Sequence, residues 1–286
     1  MMFQRITGGV VLLVVLAAHS IAEGQRTIVL KSAKDGGLYA AAGDGNSNRG
    51  DDGRMDFNTA GDGVLVQFDL SGVLGPGESI SAATLELFAA RSSNTHDFQL
   101  VGYPLGAAWG EGVGNSGISG GTGFPWGPAS VGDAVYNFKD VTDVGAGNAP
   151  FDSTDVANAG VAWNTPGGQG IGTDVVDRIL FDVAIAADGA GDEAEPYTPI
   201  DFNASGISVL NDMANGAMTN NGFNLFTTGG NVDGGNGWRI ATRELAARRG
   251  TDSFAPTLTM TVVPEPGSMS MALFGILALF RIIKKR

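Results

Sequence analysis

The chain has 286 residues, 43% hydrophobic and 8% aromatic, enough apolar surface to offset the entropy of ordering a backbone. Gly 45 and Pro 11 supply about a fifth of it, well above the roughly 12% of average usage, which favours a loop-rich β protein; the glycines keep no three-residue period, which excludes collagen. A formal net charge of -13 repels nucleic-acid phosphate, and zero cysteines remove disulfides, thiolate metal sites and a cysteine nucleophile together.

In chain order, residues 1–24 hold Arg5, the apolar run Val10 to Ala18 and small residues before Gln25, the pattern of a secretory signal peptide whose apolar stretch is helical. A buried N-terminal helix is the alternative. Residues 25–262 carry no linker or internal repeat and are expected to be one domain. Strands are expected at Thr27–Leu30, Val64–Leu70, Thr84–Phe88, Phe98–Val101, Arg178–Ile185, Phe223–Phe226 and Thr257–Val262. The last alternates strictly, placing Leu258, Met260 and Val262 on one face and threonines on the other. Gly-, Asn- and Asp-rich loops fill 43–63, 110–132 and 229–237, and loops of that length in a domain are usually functional or mobile. A helix is expected over Ile207–Asn215, where Ile207, Leu210 and Met213 recur at helical spacing and Gly216 stops the run. Many short strands between turn residues imply an all-β, jelly-roll-like antiparallel β-sandwich.

Residues 263–286 contain Pro264-Glu265-Pro266, an apolar stretch from Met269 to Phe280 and a basic end, Arg281 to Arg286. The two prolines hold the triplet extended, because neither can donate to a ladder and each restricts its predecessor. The order and position of these parts resemble the PEP-CTERM sorting signal of Gram-negative bacteria. That resemblance implies a C-terminal hydrophobic transmembrane helix with transient membrane association, processing at the triplet by an exosortase after export across the inner membrane, and delivery to the cell surface or extracellular matrix. A retained single-pass anchor is the alternative. Without both ends the domain has 12 basic and 28 acidic residues, a net charge near -16.

Within the domain, motifs occur in order: Asn48-Arg-Gly50 with Val64-Leu-Val-Gln-Phe-Asp-Leu70, Gly77 to Leu87, Trp109-Gly-Glu111, Gly132-Asp-Ala-Val-Tyr-Asn137, Trp163-Asn-Thr-Pro-Gly-Gly168, Ile200-Asp-Phe with Asn221-Gly-Phe223, and Ala241-Thr-Arg-Glu244 with Pro256-Thr-Leu258. Together they resemble the DNRLRE-type β-sandwich domain, a disaggregatase-related fold akin to carbohydrate-binding modules. Gln67 and Tyr136 stand where that family usually has arginine and tryptophan. The resemblance implies recognition of extracellular polysaccharide.

Sugar rings pack their C–H faces on aromatic rings, so a binder needs displayed aromatics beside hydrogen-bonding groups. Phe124 and Trp126, set in a Gly- and Pro-rich loop, are the first candidates, with a loop-pinning role for Trp126 as the alternative. Trp109 and Trp163 are expected to be buried. Trp238 adjoins Arg239, Arg243, Arg248 and Arg249, a cluster suited to uronate carboxylates or to pairing with neighbouring acids. No cofactor is implied. A structural calcium would suit the oxygen-rich loop of Asp44, Asn46, Asn48, Asp51 and Asp52, which otherwise supplies turns. His96 has no nucleophile elbow to accompany it, and Glu111 is the least implausible catalytic acid.

The expectation is an exported, non-catalytic protein that binds polysaccharide, uronate-rich polymers among the candidates. A structural matrix protein with no specific glycan and a polysaccharide-degrading enzyme are the alternatives.

Overall fold

The computed structural model describes residues 24–38, 47–48, 54–57, 62–88, 98–111, 127–128, 134, 136, 138–143, 159–185, 197, 199–230, 238–251 and 253–265. Both end segments fall almost wholly outside these residues, so the expected signal and tail helices lie outside the described part. Among the described residues no helix is long and apolar enough to cross a membrane.

Among the described residues fifteen strands run in chain order: β1 (Arg26–Lys31), β2 (Lys34–Leu38), β3 (Ser47–Asn48), β4 (Arg54–Phe57), β5 (Gly63–Gln67), β6 (Glu78–Glu86), β7 (Phe98–Pro104), β8 (Gly127–Pro128), β9 (Phe138–Asp143), β10 (Ala159–Ala162), β11 (Phe181–Ile185), β12 (Ile200–Asp201), β13 (Phe223–Gly230), β14 (Trp238–Ala241) and β15 (Thr257–Pro264). Among the described residues two α-helices join them, α1 (Ala204–Ala214) and α2 (Arg243–Arg248), with a 3-10 turn at Pro166–Gly168. Nine of the strands form a four-stranded sheet in the order β1-β15-β6-β12 and a five-stranded sheet in the order β11-β7-β13-β5-β2, and the other six pair two by two as β10-β9, β14-β4 and β3-β8. Every strand pair in the two larger sheets is antiparallel. The described residues are mostly antiparallel β-sheet, consistent with the all-β class that the glycine content and period-two runs imply.

Alternation decides what each sheet buries. In β15, Leu258, Met260 and Val262 are buried while Thr259 and Thr261 are half-exposed, as the sequence pattern requires. The main core gathers Ile80, Leu85 and Met260 from the four-stranded sheet with Val64, Leu100 and Leu225 from the other, and α1 adds Val209, Leu210 and Met213. The five-stranded sheet is covered on both faces. Val64 and Val66 of β5 enter the main core, whereas Leu65 enters a second cluster with Val101, Tyr103, Phe226, Trp109 and Trp163. That double burial is why β5 reads as an unbroken apolar run.

Several boundaries differ from the sequence expectation. The strand expected over Val64–Leu70 ends at Gln67, and the one expected from Arg178 begins at Phe181. Phe68, Leu70 and Leu180 are still core residues, so their hydrophobicity reflects burial outside the ladders. The helix starts at Ala204 because the Asn203 side chain caps it, accepting from the Gly206 N–H at 2.9 Å; it ends before Gly216, whose φ is 74°. The segment 43–63, expected to be a loop, contains β4, which pairs with β14 and buries Met55 and Phe57 completely. Glycine is required at position 222, where φ is +86° and a Cβ would stand 2.5 Å from the Val66 carbonyl oxygen.

Candidate functional site

Three segments far apart in sequence meet at one end of the five-stranded sheet. The first is the corner from Ser32 to Asp35, where β1 passes to β2. The second is Trp109-Gly110-Glu111, after β7. The third is Thr242-Arg243-Glu244, where β14 runs into α2.

Each segment has a local reason to be there. The Trp109 ring lies over β2 at Gly36, 3.6 Å from where a Cβ would sit, an ordinary packing distance. The Trp109 indole N–H donates to the Asn221 carbonyl at 2.9 Å, and the Lys34 ammonium lies 5.8 Å from the ring centroid. Trp109 and Trp163 are both buried, as expected. Thr242, fully buried, caps α2 by accepting from the Leu245 N–H at 3.2 Å.

The result is a cluster of three carboxyl groups and one guanidinium. Asp35, Glu111 and Glu244 each bring an oxygen within 4.8 Å of the others. Arg243 Nη2 donates to Glu111 Oε2 at 2.8 Å and lies 2.7 Å from Glu244 Oε1, while its Nη1 donates to the Ala33 carbonyl at 2.9 Å. Asp35 Oδ2 accepts from the Ser32 hydroxyl at 2.7 Å and from the Arg243 main-chain N–H at 3.1 Å. Glu111 Oε1 accepts from the Asp35 N–H at 2.8 Å. Two buried oxygens, Asp35 Oδ1 and Glu244 Oε2, receive no hydrogen bond from the fold.

Burial sets the electrostatics. It pushes the fully buried Asp35 carboxyl well above the usual carboxylate range, with the Glu244 charge adding to the effect. Glu111 is also raised, chiefly by burial, against the opposing pull of the Asp35 N–H and of Arg243. The trio has the spacing of a cation site, but the guanidinium already stands between Glu111 and Glu244. Calcium also demands six to eight oxygen ligands, and only two carboxyl oxygens here are uncommitted.

Arg243 faces outward as well. With 41% of its side chain exposed, it joins Lys31, Ser32, Ala247, Thr251 and Ala255 in lining an open cleft of about 470 Å³. Lys31 is braced by donating to Thr257 Oγ1 at 2.7 Å and packs its ammonium 5.7 Å from the Phe88 ring centroid. A second depression of about 440 Å³ near Gln67, Asp69 and Asn220 has no lysine or arginine in its lining.

Of the candidates expected from sequence, Arg243 and Glu111 fall in this site. Trp238 and Arg239 lie on β14, with only their backbone described, and Arg249 is exposed just after α2. Phe124, Trp126, His96, Asp44, Asn46, Asp51, Asp52 and Pro266 lie outside the described residues. Asn48 is described only as backbone in β3, opposite Gly127. Pro264 ends β15 opposite Glu78, and the exposed Glu265 donates its N–H to the Gly77 carbonyl at 2.7 Å. Asp35 was not singled out by sequence at all.

Comparison with protein-family models and with curated proteins finds no match for the chain.

Gln67 and Tyr136 each have a local partner. Gln67 Nε2 donates to the Asn220 carbonyl at 2.7 Å, and the Tyr136 carbonyl accepts from the Gly167 N–H at 2.6 Å while its ring packs on the second core cluster.

Proposed function

We propose that this protein is an exported, non-catalytic component of the cell surface or extracellular matrix that binds acidic polysaccharide through a jelly-roll-like β-sandwich. Two antiparallel sheets sharing one core support the sandwich reading, and the order of the sequence motifs supports a DNRLRE-type domain. The Pro264-Glu265-Pro266 triplet, apolar stretch and basic end support export, an exosortase as processing partner and delivery to the surface.

The observation that carries the binding reading is the cleft between β1 and α2. It sets a lysine and an arginine beside the Ser32 and Thr251 hydroxyls, in a domain whose overall charge is strongly negative. The Lys31 ammonium and the exposed edge of an arginine otherwise held by Glu111 and Glu244, with hydroxyls between them, suit the carboxylates and hydroxyls of a uronate polymer.

Affinity electrophoresis of the full-length chain through alginate, pectin and neutral glucans tests this. Retardation by the acidic polymers, weakened at least severalfold by Lys31→Ala and by Trp126→Ala, is the expected result. Equal mobility in every gel would leave a structural matrix protein as the better account.

One observation favours the degradative alternative, the convergence of Asp35, Glu111 and Glu244. Glycoside cleavage needs carboxyl groups open to the sugar on either side of its bond. Here Asp35 is fully buried and Arg243 is bonded to the other two, so release of new reducing ends or unsaturated products from the same polymers is not expected.

A further inference from the structure

Counting charge around Asp35 shows what the cluster lacks. The groups facing it are Glu244 and Arg243 from α2, Glu111 from the segment after β7, and Ser32 from the corner before β2, with Lys34 close enough to act on Glu111. Three carboxylates would meet one bonded guanidinium. The Asp35 and Glu244 carboxyls each bring an oxygen within 4.8 Å of the other, yet each has a buried oxygen with no donor. Two ionised carboxylates at that separation would repel in a site of low polarity, and two unsatisfied anionic oxygens would add their own desolvation cost. One proton on Asp35 eases both difficulties: it removes a buried charge and makes an oxygen that lacked a donor into a donor itself.

We propose that Asp35 keeps its proton at neutral pH, so that the chain Asp35–Glu244–Arg243–Glu111 is a latch joining β2, α2 and the segment after β7. Glu244 beside it stays ionised and holds Arg243. Alkali transfers the proton to solvent and leaves two neighbouring carboxylates, and the latch loosens. The inference rests on the cluster alone and stands or falls independently of glycan binding.

The sign follows from proton counting. The folded state retains a proton that the unfolded Asp35 gives up near pH 4, so stability falls as pH rises from about 4 until Asp35 ionises in the fold, at about tenfold in the folding constant per pH unit.

Urea unfolding of the full-length chain and of Asp35→Asn between about pH 5 and about pH 9 tests this, with chelator and with added calcium. The Asn amide donates permanently where the proton does, so the variant should equal or exceed the parent at neutral pH, and its advantage should grow as pH rises. Carboxyl-carbon NMR of the unsubstituted chain reads the same group directly: the Asp35 signal should keep its protonated position through neutral pH. Parallel pH profiles for the two proteins, or an Asp35 signal that titrates in the ordinary aspartate range, would overturn the proposal. A parent stability that rises with calcium and falls with chelator would do the same, by putting a metal where the proton is placed.

Discussion

The main-chain N–H of Asp35 donates to the Glu111 carboxylate at 2.8 Å across 76 residues of sequence. Through this bond an acid from the segment after β7 closes a backbone group of the edge strand β2, while its other oxygen takes Arg243. Glu111→Ala leaves a donor and a guanidinium short of a partner at once and should cost about 2–3 kcal/mol. Glu111→Gln keeps the acceptor for the Asp35 N–H and should lose roughly half as much. Urea midpoints at neutral pH measure both; equal losses would show that the Arg243 contact, not the backbone bond, carries the effect.

An ordinary pH dependence operates at the opposite end of the four-stranded sheet. Glu78 accepts from Arg26 at 3.1 and 2.5 Å and from the Gly75 N–H at 2.6 Å. The Arg26 bond first, then the Gly75 bond, holds its carboxyl below the usual range. A depressed folded value gives stability that is present above the unfolded value and lost as pH falls through the folded one. Arg26 is 42% exposed, so solvent screening limits the gain to at most about 1 kcal/mol. Glu78→Gln should therefore flatten the acid limb of the stability profile and leave the alkaline limb alone; an unchanged acid limb would show that the pair contributes nothing.

Leu258 and Val29 lie on neighbouring strands with opposite fates. Leu258 is completely buried opposite Leu85, whereas Val29 is 57% exposed on β1. Leu258→Ala should cost about 2–5 kcal/mol through a core cavity, and Val29→Thr should stay within about 0.5 kcal/mol. Thermal and urea unfolding compare them; a severe loss from Val29→Thr would mean that this edge is covered by something beyond the chain described here.

The sheets were readable because their burial is periodic. β15 alternates apolar and threonine residues, and β5 runs unbroken because both its faces are covered. β4 was hidden for a physical reason. Met55 and Phe57 are only two apolar residues in a stretch of Gly, Asp and Asn, and they are held by a strand far along the chain. The site was half readable. Glu111 and the Arg243-Glu244 pair stand in recognisable motifs, but Asp35 sits in Lys34-Asp-Gly-Gly, a composition that signals a turn. Those glycines lie in strand β2 instead, with Trp109 packed over Gly36. No local pattern could announce a carboxyl group whose meaning depends on partners contributed by distant segments.

The antiparallel pairing of β1 with β15 matches Arg26 to Val262, so the flanks before residue 26 and after residue 264 leave the domain side by side. A pull that separates those two flanks would peel β1 from β15 one rung at a time, the weak direction for a ladder, rather than shearing all its hydrogen bonds together. A pull on the C-terminal flank alone loads β15 between two partners, β1 on one side and β6 on the other. The fold therefore resists a pull on its C-terminal flank better than a pull that parts the two flanks.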